Sequence, residues 1–355
     1  MQVTMRDVAR SAGVSIQTVS AVLNDKPGIS VPTVDKVRQV VAALGYQPNL
    51  LASSLRSRRS TTIGLLLPNV ANAYFAEMAR GVEDIAQARG YSVILCNHDE
   101  NPAKRSAYVR LLWQCQVAGI IGARPEDLSA HRPDGGQPVK PSAYPVFVEW
   151  HAVDNRRGGY VATAHLLDLG HRRIGCVTGP LPDGPGGERL LGYKQALADW
   201  SAPVDEDLIV EGAFDFASGR RAGRLLLERG RRPTAIFAHN DLMAIGVIAT
   251  LKRNGLRVPD EVAVIGYDGA EIAALYDPPL STVAQPTYEL GAHAMTALAD
   301  QIEGCVTMPE PDLPDCALIV RRSTVPGLEG ERPCGPIGAD RPWAAWREEK
   351  EALMS

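Results

Sequence analysis

From Thr61 onward, short continuous apolar runs alternate with longer stretches of helical periodicity. No other feature restricts the fold as much. Runs that read as strands are 62–67, 92–96, 117–121, 145–148, 174–178, 208–210, 235–238 and 262–267. Helical patterns lie between them near 73–89, 102–114, 156–169, 188–199, 217–229, 240–254 and 286–303. An apolar run without polar alternation is a strand buried on both faces, as in a parallel sheet covered by helices. So many strands imply two doubly wound sheets, with the break near residue 150. The length of 355 residues allows two or three domains. No repeat with a period of 20–50 residues is visible.

Residues 4–45 follow a different pattern. Thr4 and Asp7 form a capping pair that opens a first helix. Ala12-Gly13-Val14 breaks it, and Ser15 caps a second helix that reaches Asn24. Ser30 and Pro32 open a third, with Val34, Val37, Val41 and Leu44 at helical spacing and Gly45 at its end. Helix, short Gly-containing turn and helix is helix-turn-helix spacing. Val8, Ala9, Val14, Val19 and Leu23 are placed to lock the two helices. Ser15, Ile16, Gln17 and Thr18 then form the exposed first turn that enters a major groove. Gln17 can pair with adenine, and Ile16 can touch a thymine methyl. Ser15, Thr18 and Ser20 are small enough to bond phosphates. The spacing alone equally suits the end of an ordinary three-helix bundle.

Charge separates the two regions. The net charge is -4, too small to name a partner. Yet residues 1–60 carry eight Lys/Arg against three Asp/Glu, a net of +5, which leaves −9 on the rest. A basic head on an acidic body suggests that the head alone meets a polyanion. The six cysteines (96, 115, 176, 305, 316 and 334) include no CxxC pair and read as reduced, mostly buried thiols. MQVTMRDVAR has no apolar signal region, and no apolar run is long enough to span a membrane. A cytoplasmic protein is expected.

DVARSAGVSIQTVSAVLN and VRQVVAALGYQPNLLASSLRS closely resemble the DNA-binding head and hinge of the lactose-repressor (LacI/GalR) family. The resemblance continues through IGLLLPN, AYFAEMARGVE, DNRRGGYVATAHLLDLGHRRIGCVTGP, ERLLGYKQAL, NDLMAIGVIATLKRNGLRVPDEVAVIGYD and LSTVAQPTYELG, and so covers about 1–326. It implies a dimeric transcription regulator, most often a repressor, bound to double-stranded operator DNA. It also implies a helix-turn-helix domain at 1–47, a hinge at 48–60 and a periplasmic-binding-protein-like body at 61–326. The body would have two α/β subdomains, about 61–150 plus 284–308 and about 154–281 plus 312–326. The tail 327–355 lies outside the resemblance and reads as either disordered or a short docking helix. On DNA the hinge, about Asn49–Ser57, would fold into a helix. Leu55 matches the family's minor-groove wedge, and Ala52 a small residue between paired hinge helices. Thr4, Asn24 and Asn49 join the DNA-binding set. The family usually has Arg after its TVS triplet. Here that position is Ala21, which offers only a methyl, so a different operator base pair is expected there.

For the body, the resemblance implies a small effector, a sugar or its derivative, in the cleft between subdomains. Tyr74 and Phe75 match its aromatic wall, and Phe214 is a second stacking candidate. Arg189, Asn240 and Asp268 match polar clamps, the last two at strand ends where α/β folds hold ligands. Other readings stand beside these. The aromatics suit plain core, Arg189 a surface ion pair, Asn240 a helix cap and Asp268 a turn cap. Glu149 matches an acidic position, but only Trp150–Val153 separate it from Asp154-Asn155, where the family has a longer segment. Trp150 and His151 are placed to fill that cleft edge.

Other function classes have weaker support. The sequence contains no GxGxxG after a strand, no GxxxxGK[ST], no HExxH and no GxSxG, so an enzyme, a metal or a cofactor is not expected. GPLPDGPGG (179–187) is placed as a phosphate loop would be, but Glu188-Arg189 follows it instead of Lys-Ser/Thr. A secreted sugar receptor would share the body but not the basic head. A purine, a phosphorylated metabolite, a partner protein or a co-repressor remains an alternative effector.

Overall fold

The computed structural model describes residues 3–23, 27–46, 60–122, 146–148, 153–182, 184–229, 232–305 and 315–336. Asn24, Asn49, Ala52, Leu55 and Glu149 lie outside the described residues, as do Trp150 and His151. The chain divides into two units, Met1–Thr61 and Thr62–Ser355.

The first unit has three helices, α1 (Met5–Ala12), α2 (Ile16–Leu23) and α3 (Val31–Leu44). Gly13 ends α1 at φ 66° and Gly45 ends α3 at φ 60°. Both occupy the left-handed region that a side chain disfavours. Val8, Ala9, Ala12, Val19, Val22, Val37 and Tyr46 form the core. Val14 and Leu23, expected in that core, pack on it half-buried. Tyr46 turns back into it directly after the helix ends.

The second unit contains β1 (Thr62–Leu67), α4 (Ala73–Ala88), β2 (Ser92–Asn97), α5 (Pro102–Gln114), β3 (Gly119–Ile121) and β4 (Val146–Val148). It continues with α6 (Asn155–Asp168), β5 (Ile174–Thr178), α7 (Gly184–Asp199), β6 (Ile209–Glu211), α8 (Phe216–Glu228) and β7 (Ala235–Ala238). The remainder is α9 (Asp241–Arg253), β8 (Ala263–Asp268), α10 (Glu271–Leu275), β9 (Ser281–Ala284), α11 (Thr287–Glu303), β10 (Ala317–Val320) and β11 (Arg332–Pro336). One sheet has the order β2-β1-β3-β4, all parallel. The other has the order β11-β10-β9-β8-β7-β5-β6 and is parallel except at β10 and β11.

Alternation along the strands divides the second sheet's core into two layers. Cys176, Phe237, Ile265 and Tyr267 face α6 and α7. Val177, Ile236, Ala238 and Val264 face α8 and α9. In the first sheet Ile63, Leu65 and Leu67 face α4 and α11, while Leu66 and Ile120 face α5.

Several boundaries differ from the sequence reading. α7 starts at Gly184 rather than 188, because Gly186 and Gly187 let its first turn press on the Pro180 and Pro182 carbonyls. β9 belongs to the second sheet, so the crossover follows Ala284. Strands β9, β10 and β11 and helix α10 were not among the apolar runs. In β9, buried Ser281 and Thr282 replace aliphatic residues, and β10 is buried only at alternate positions. The ordered body also passes residue 326. Arg321 donates to Glu331 at 2.9 and 2.7 Å, and Arg332–Pro336 pairs with β10 at the sheet edge, where proline is tolerated. Cys96, Cys176 and Cys316 are buried free thiols, but Cys115 and Cys305 are exposed.

α11 lies along α4, and glycines let them touch. A Cβ on Gly81 would collide with the Tyr288 carbonyl, and one on Gly291 with that of Met78. Gly81→Leu should therefore destabilise the body by about 3 kcal/mol, read as a lower denaturant midpoint at unchanged slope. A midpoint equal to wild type would show that the helices do not meet there.

Candidate effector site and DNA-binding surface

In the first unit, the Asp7 carboxylate accepts from the Thr4 N–H at 2.9 Å and from its hydroxyl at 2.6 Å. The Asp7 N–H returns a 3.4 Å bond to Thr4 Oγ1. These bonds hold the Asp7 carboxyl below its ordinary pKa. Ser15 Oγ accepts from the Thr18 N–H at 3.0 Å and lies 2.9 Å from Thr18 Oγ1. The Ser15 side chain therefore caps α2 as well as facing solvent. Ser15, Ile16 and Gln17 are exposed on that turn, while Thr18, Ser20 and Ala21 are half-buried behind it. Val19 and Val22 face inward. A polar, reachable turn thus stands on a helix whose other side is fixed in a core.

In the second unit, polar groups converge on Arg189. α6 and α7 cross at glycines: a Cβ on Gly192 would meet the Tyr160 backbone nitrogen at 2.6 Å, and one on Gly159 would meet Arg189 Cα at 2.8 Å. This close approach buries Arg189 to 4% exposure, so it is not a surface ion-pair partner. Its Nε donates to Asn155 Oδ1 at 2.9 Å, and its Nη1 donates to the His239 carbonyl. Nη1 also lies 3.9 Å from Asp268 Oδ1. The guanidinium covers the Tyr267 ring at 3.7 Å, with the Phe214 ring at 5.9 Å. Nη2 has no hydrogen-bond partner among the described residues.

Asp268 ends β8 at φ 108°. Its Oδ1 accepts from Gln285 Nε2 at 2.7 Å, and its carbonyl accepts from the Gln285 N–H at 3.0 Å. Burial pushes its carboxyl pKa up to about 6, with Arg189 and Gln285 holding it down. Tyr74, from the first subdomain, reaches the same group of charges. Burial raises its hydroxyl above the ordinary range, and the Asp268 charge adds to the shift. Tyr74 and Phe75 stand edge to face at 5.0 Å, but Phe75 packs partly on the first subdomain's core. Phe214 holds φ 57°, and its ring occupies the space where Gly179 lacks a side chain. Asn240 caps α9 through Met243 N–H at 2.9 Å and donates to the Phe214 carbonyl at 2.9 Å. Both ends of its amide already serve the fold.

The sequence reading did not single out Asn155, His239, Tyr267, Gln285 or Asp241. Asn155 and Asp241 do sit in quoted motifs, beside Asp154 and Asn240. Asp241 is buried behind Asp268; its oxygens accept from the Thr282 hydroxyl at 2.7 Å and the Ala270 N–H at 2.8 Å. Burial, then the Asp268 charge, pushes its pKa up to about 8. His239 contributes its backbone carbonyl, which no side-chain pattern reveals.

Residues 4–49 match the description of bacterial regulatory proteins of the lacI family, and residues 163–324 match a periplasmic binding protein-like domain. The chain is 35% identical over 335 residues to the HTH-type transcriptional regulator DegA of Bacillus subtilis (strain 168), covering 92% of this chain and 99% of that protein. The chain belongs to the lacI family of bacterial regulatory proteins. As a lacI-family member it is a DNA-binding transcriptional regulator under effector control, and its relatives are regulators rather than enzymes. The HTH-type transcriptional repressor PurR of Vibrio campbellii (strain ATCC BAA-1116) is 37% identical, over 84% of this chain and 92% of its own. A transcriptional regulator CelR–cellobiose complex matches with TM-score 0.65 at 31% identity, over 91% of this chain and 100% of that one. The lac repressor dimer bound to operator and the anti-inducer ONPF matches with TM-score 0.78 at 28% identity, over 91% and 99%. No helix of the described residues is long and apolar enough to cross a membrane.

Asp241 and Asp268 keep protons in the folded chain that the unfolded chain releases near pH 4. The folded state then binds more protons, so these groups make stability fall as pH rises from about 4 towards 8. In Asp241→Asn the amide can still accept from Ala270, and the Thr282 hydroxyl can turn to accept from it. Urea unfolding of this variant should show a shallower decline between pH 6 and pH 8.5. A slope equal to wild type would remove Asp241 from that role.

Proposed function

We propose that this chain is a homodimeric repressor whose operator affinity is switched by a neutral, hydroxyl-rich effector, a sugar or its derivative, bound at Arg189 and Asp268. The carrying observation is the charge match of that pair. Arg189 Nη2 and Asp268 Oδ2 have no hydrogen-bond partner among the described residues, which leaves a donor beside an acceptor. Vicinal hydroxyls satisfy both. A phosphorylated ligand would meet the Asp268 carboxylate without an uncommitted cation beside it. Tyr74 and Phe75 supply the apolar cover.

In this reading Ser15, Ile16 and Gln17 read base edges, while Thr4, Thr18 and Ser20 sit towards phosphates and Ala21 faces a base pair without a hydrogen bond. Asn24, Asn49, Ala52 and Leu55 complete the operator surface. Dimerisation is supported by exposed apolar side chains: Ile94 and Leu95 on edge strand β2, and Phe216, Ile272 and Leu275 around α8 and α10. The effector biases the relative orientation of the two subdomains, hence the spacing of the two hinges. Asp268 links these events, because its partner Gln285 lies in the crossover from β9 to α11.

The test is a thermal-shift screen of sugars, sugar phosphates and purines, followed by operator binding at fixed salt with each hit. A purine or phosphate hit in place of a sugar overturns the effector class and leaves the regulator intact. Arg189→Ala should lose the ligand response and keep operator affinity; an unchanged response excludes Arg189. Leu55→Ala should weaken operator binding by about tenfold or more, and equal affinity excludes the hinge wedge. Effector affinity should also fall below about pH 6, where Asp268 takes up its proton and loses an acceptor. Affinity constant from pH 5 to pH 7.5 would place the ligand elsewhere.

A further inference from the structure

The second subdomain carries a concentration of cations that the effector cleft does not use. Residues 217–257 contain nine Arg/Lys against two acidic residues, although residues 61–355 together carry a net charge of −9. Four of these cations line a groove of about 740 Å³ between α8 and α9. Arg220, Arg221 and Arg224 project from α8, and Arg253 from the end of α9, with Glu228 and Asn254 at one end. None of the four guanidiniums makes an ion pair or hydrogen bond with the described residues. Elsewhere in the body Arg89, Arg257, Arg321 and Arg322 all have carboxylate partners.

The helix dipole accounts for Arg253, which sits in the last turn of α9. It does not account for Arg220, Arg221 and Arg224, which lie in the middle of α8, where like charges at i,i+3 and i,i+4 spacing repel. The groove also runs away from the cleft, from Ala217 and Arg220 in the first turns of α8 to the far end of α9. Asn240 caps the cleft end of α9, and Arg253 lies 13 residues further along, about 20 Å at 1.5 Å per residue.

We propose that this groove is a second ligand site, for a small polyanion carrying two or more phosphate groups. Guanidinium forks pair with phosphate oxygens two at a time, and four forks around one concave space match a chain of phosphates better than a single anion. The volume lies in the range of small-molecule sites. Glu228 at the groove's end opposes the ligand charge and sets an upper limit on affinity.

The experiment is titration calorimetry of the full chain with tripolyphosphate, orthophosphate and a ten-residue polyglutamate peptide, at low and at physiological salt. The expected result is saturable tripolyphosphate binding that weakens steeply with salt. Arg221→Gln combined with Arg224→Gln should raise its Kd by about tenfold or more, while Glu228→Gln lowers it a few-fold. All three positions are exposed, and circular dichroism checks that the variants remain folded. Arg6→Gln combined with Arg10→Gln, in the basic head, should leave the Kd unchanged. Absence of saturable binding overturns the proposal, as does an α8 variant that binds like wild type. Orthophosphate binding as tightly as tripolyphosphate overturns the multi-phosphate claim. Tighter binding of the peptide assigns the groove to an acidic protein partner instead.

Discussion

The second unit is organised around one buried cation. Arg189 holds together the start of α6 through Asn155, the end of β7 through the His239 carbonyl and the end of β8 through Asp268 and Tyr267. A guanidinium at that depth is strongly disfavoured unless its charge is matched and its N–H groups are bonded. Each partner is therefore required by the others, and removing one leaves a buried charge exposed to low dielectric. Burial raises the Asp268 carboxyl to about 6, and the Arg189 charge opposes that rise, so the carboxylate that matches the cation prevails at neutral pH. A site built in this way is ordered before any ligand arrives, which lowers the entropy that binding must offset.

Much of this architecture was legible in the residues. Continuous apolar runs marked the parallel strands that are buried on both faces, because there the periodicity is dictated by burial alone. Burial was not the whole signal, since the apolar runs of β2 and β6 were read although those strands are partly exposed, whereas β9 and β10 were not visible. β9 hides Ser281 and Thr282, whose hydroxyls are satisfied by Arg321, Thr324 and Asp241 from distant segments. Local sequence carries no trace of such partners. The exposed first turn of α2 was legible because a cap, a glycine break and an apolar stripe agree on one register.

In the candidate cleft, Arg189 and Asp268 could be named from motif position, but not the reason they matter to each other. Asn240 shows the opposite outcome. Its place at a strand end suggested a ligand clamp, yet its amide is consumed by Met243 and Phe214. Phe75, matched to an aromatic wall, packs partly on the first subdomain's core. Gln285 had no signal in the sequence beyond its neighbourhood, since its role arises from a crossover that only the fold defines.

The contact between α4 and α11 has a consequence for how the chain is made. The first subdomain's sheet is complete by Val148, but the helix that covers Met78 and Gly81 spans Thr287–Glu303. During synthesis, that face of the sheet must wait while the whole second subdomain emerges and folds. Closing it spans roughly two hundred residues, a non-local step of the kind that slows folding and leaves apolar surface open. The nascent chain thus keeps the apolar face of α4 open to misassembly and proteolysis until α11 is made. Stabilising substitutions at that contact would raise the yield of folded regulator.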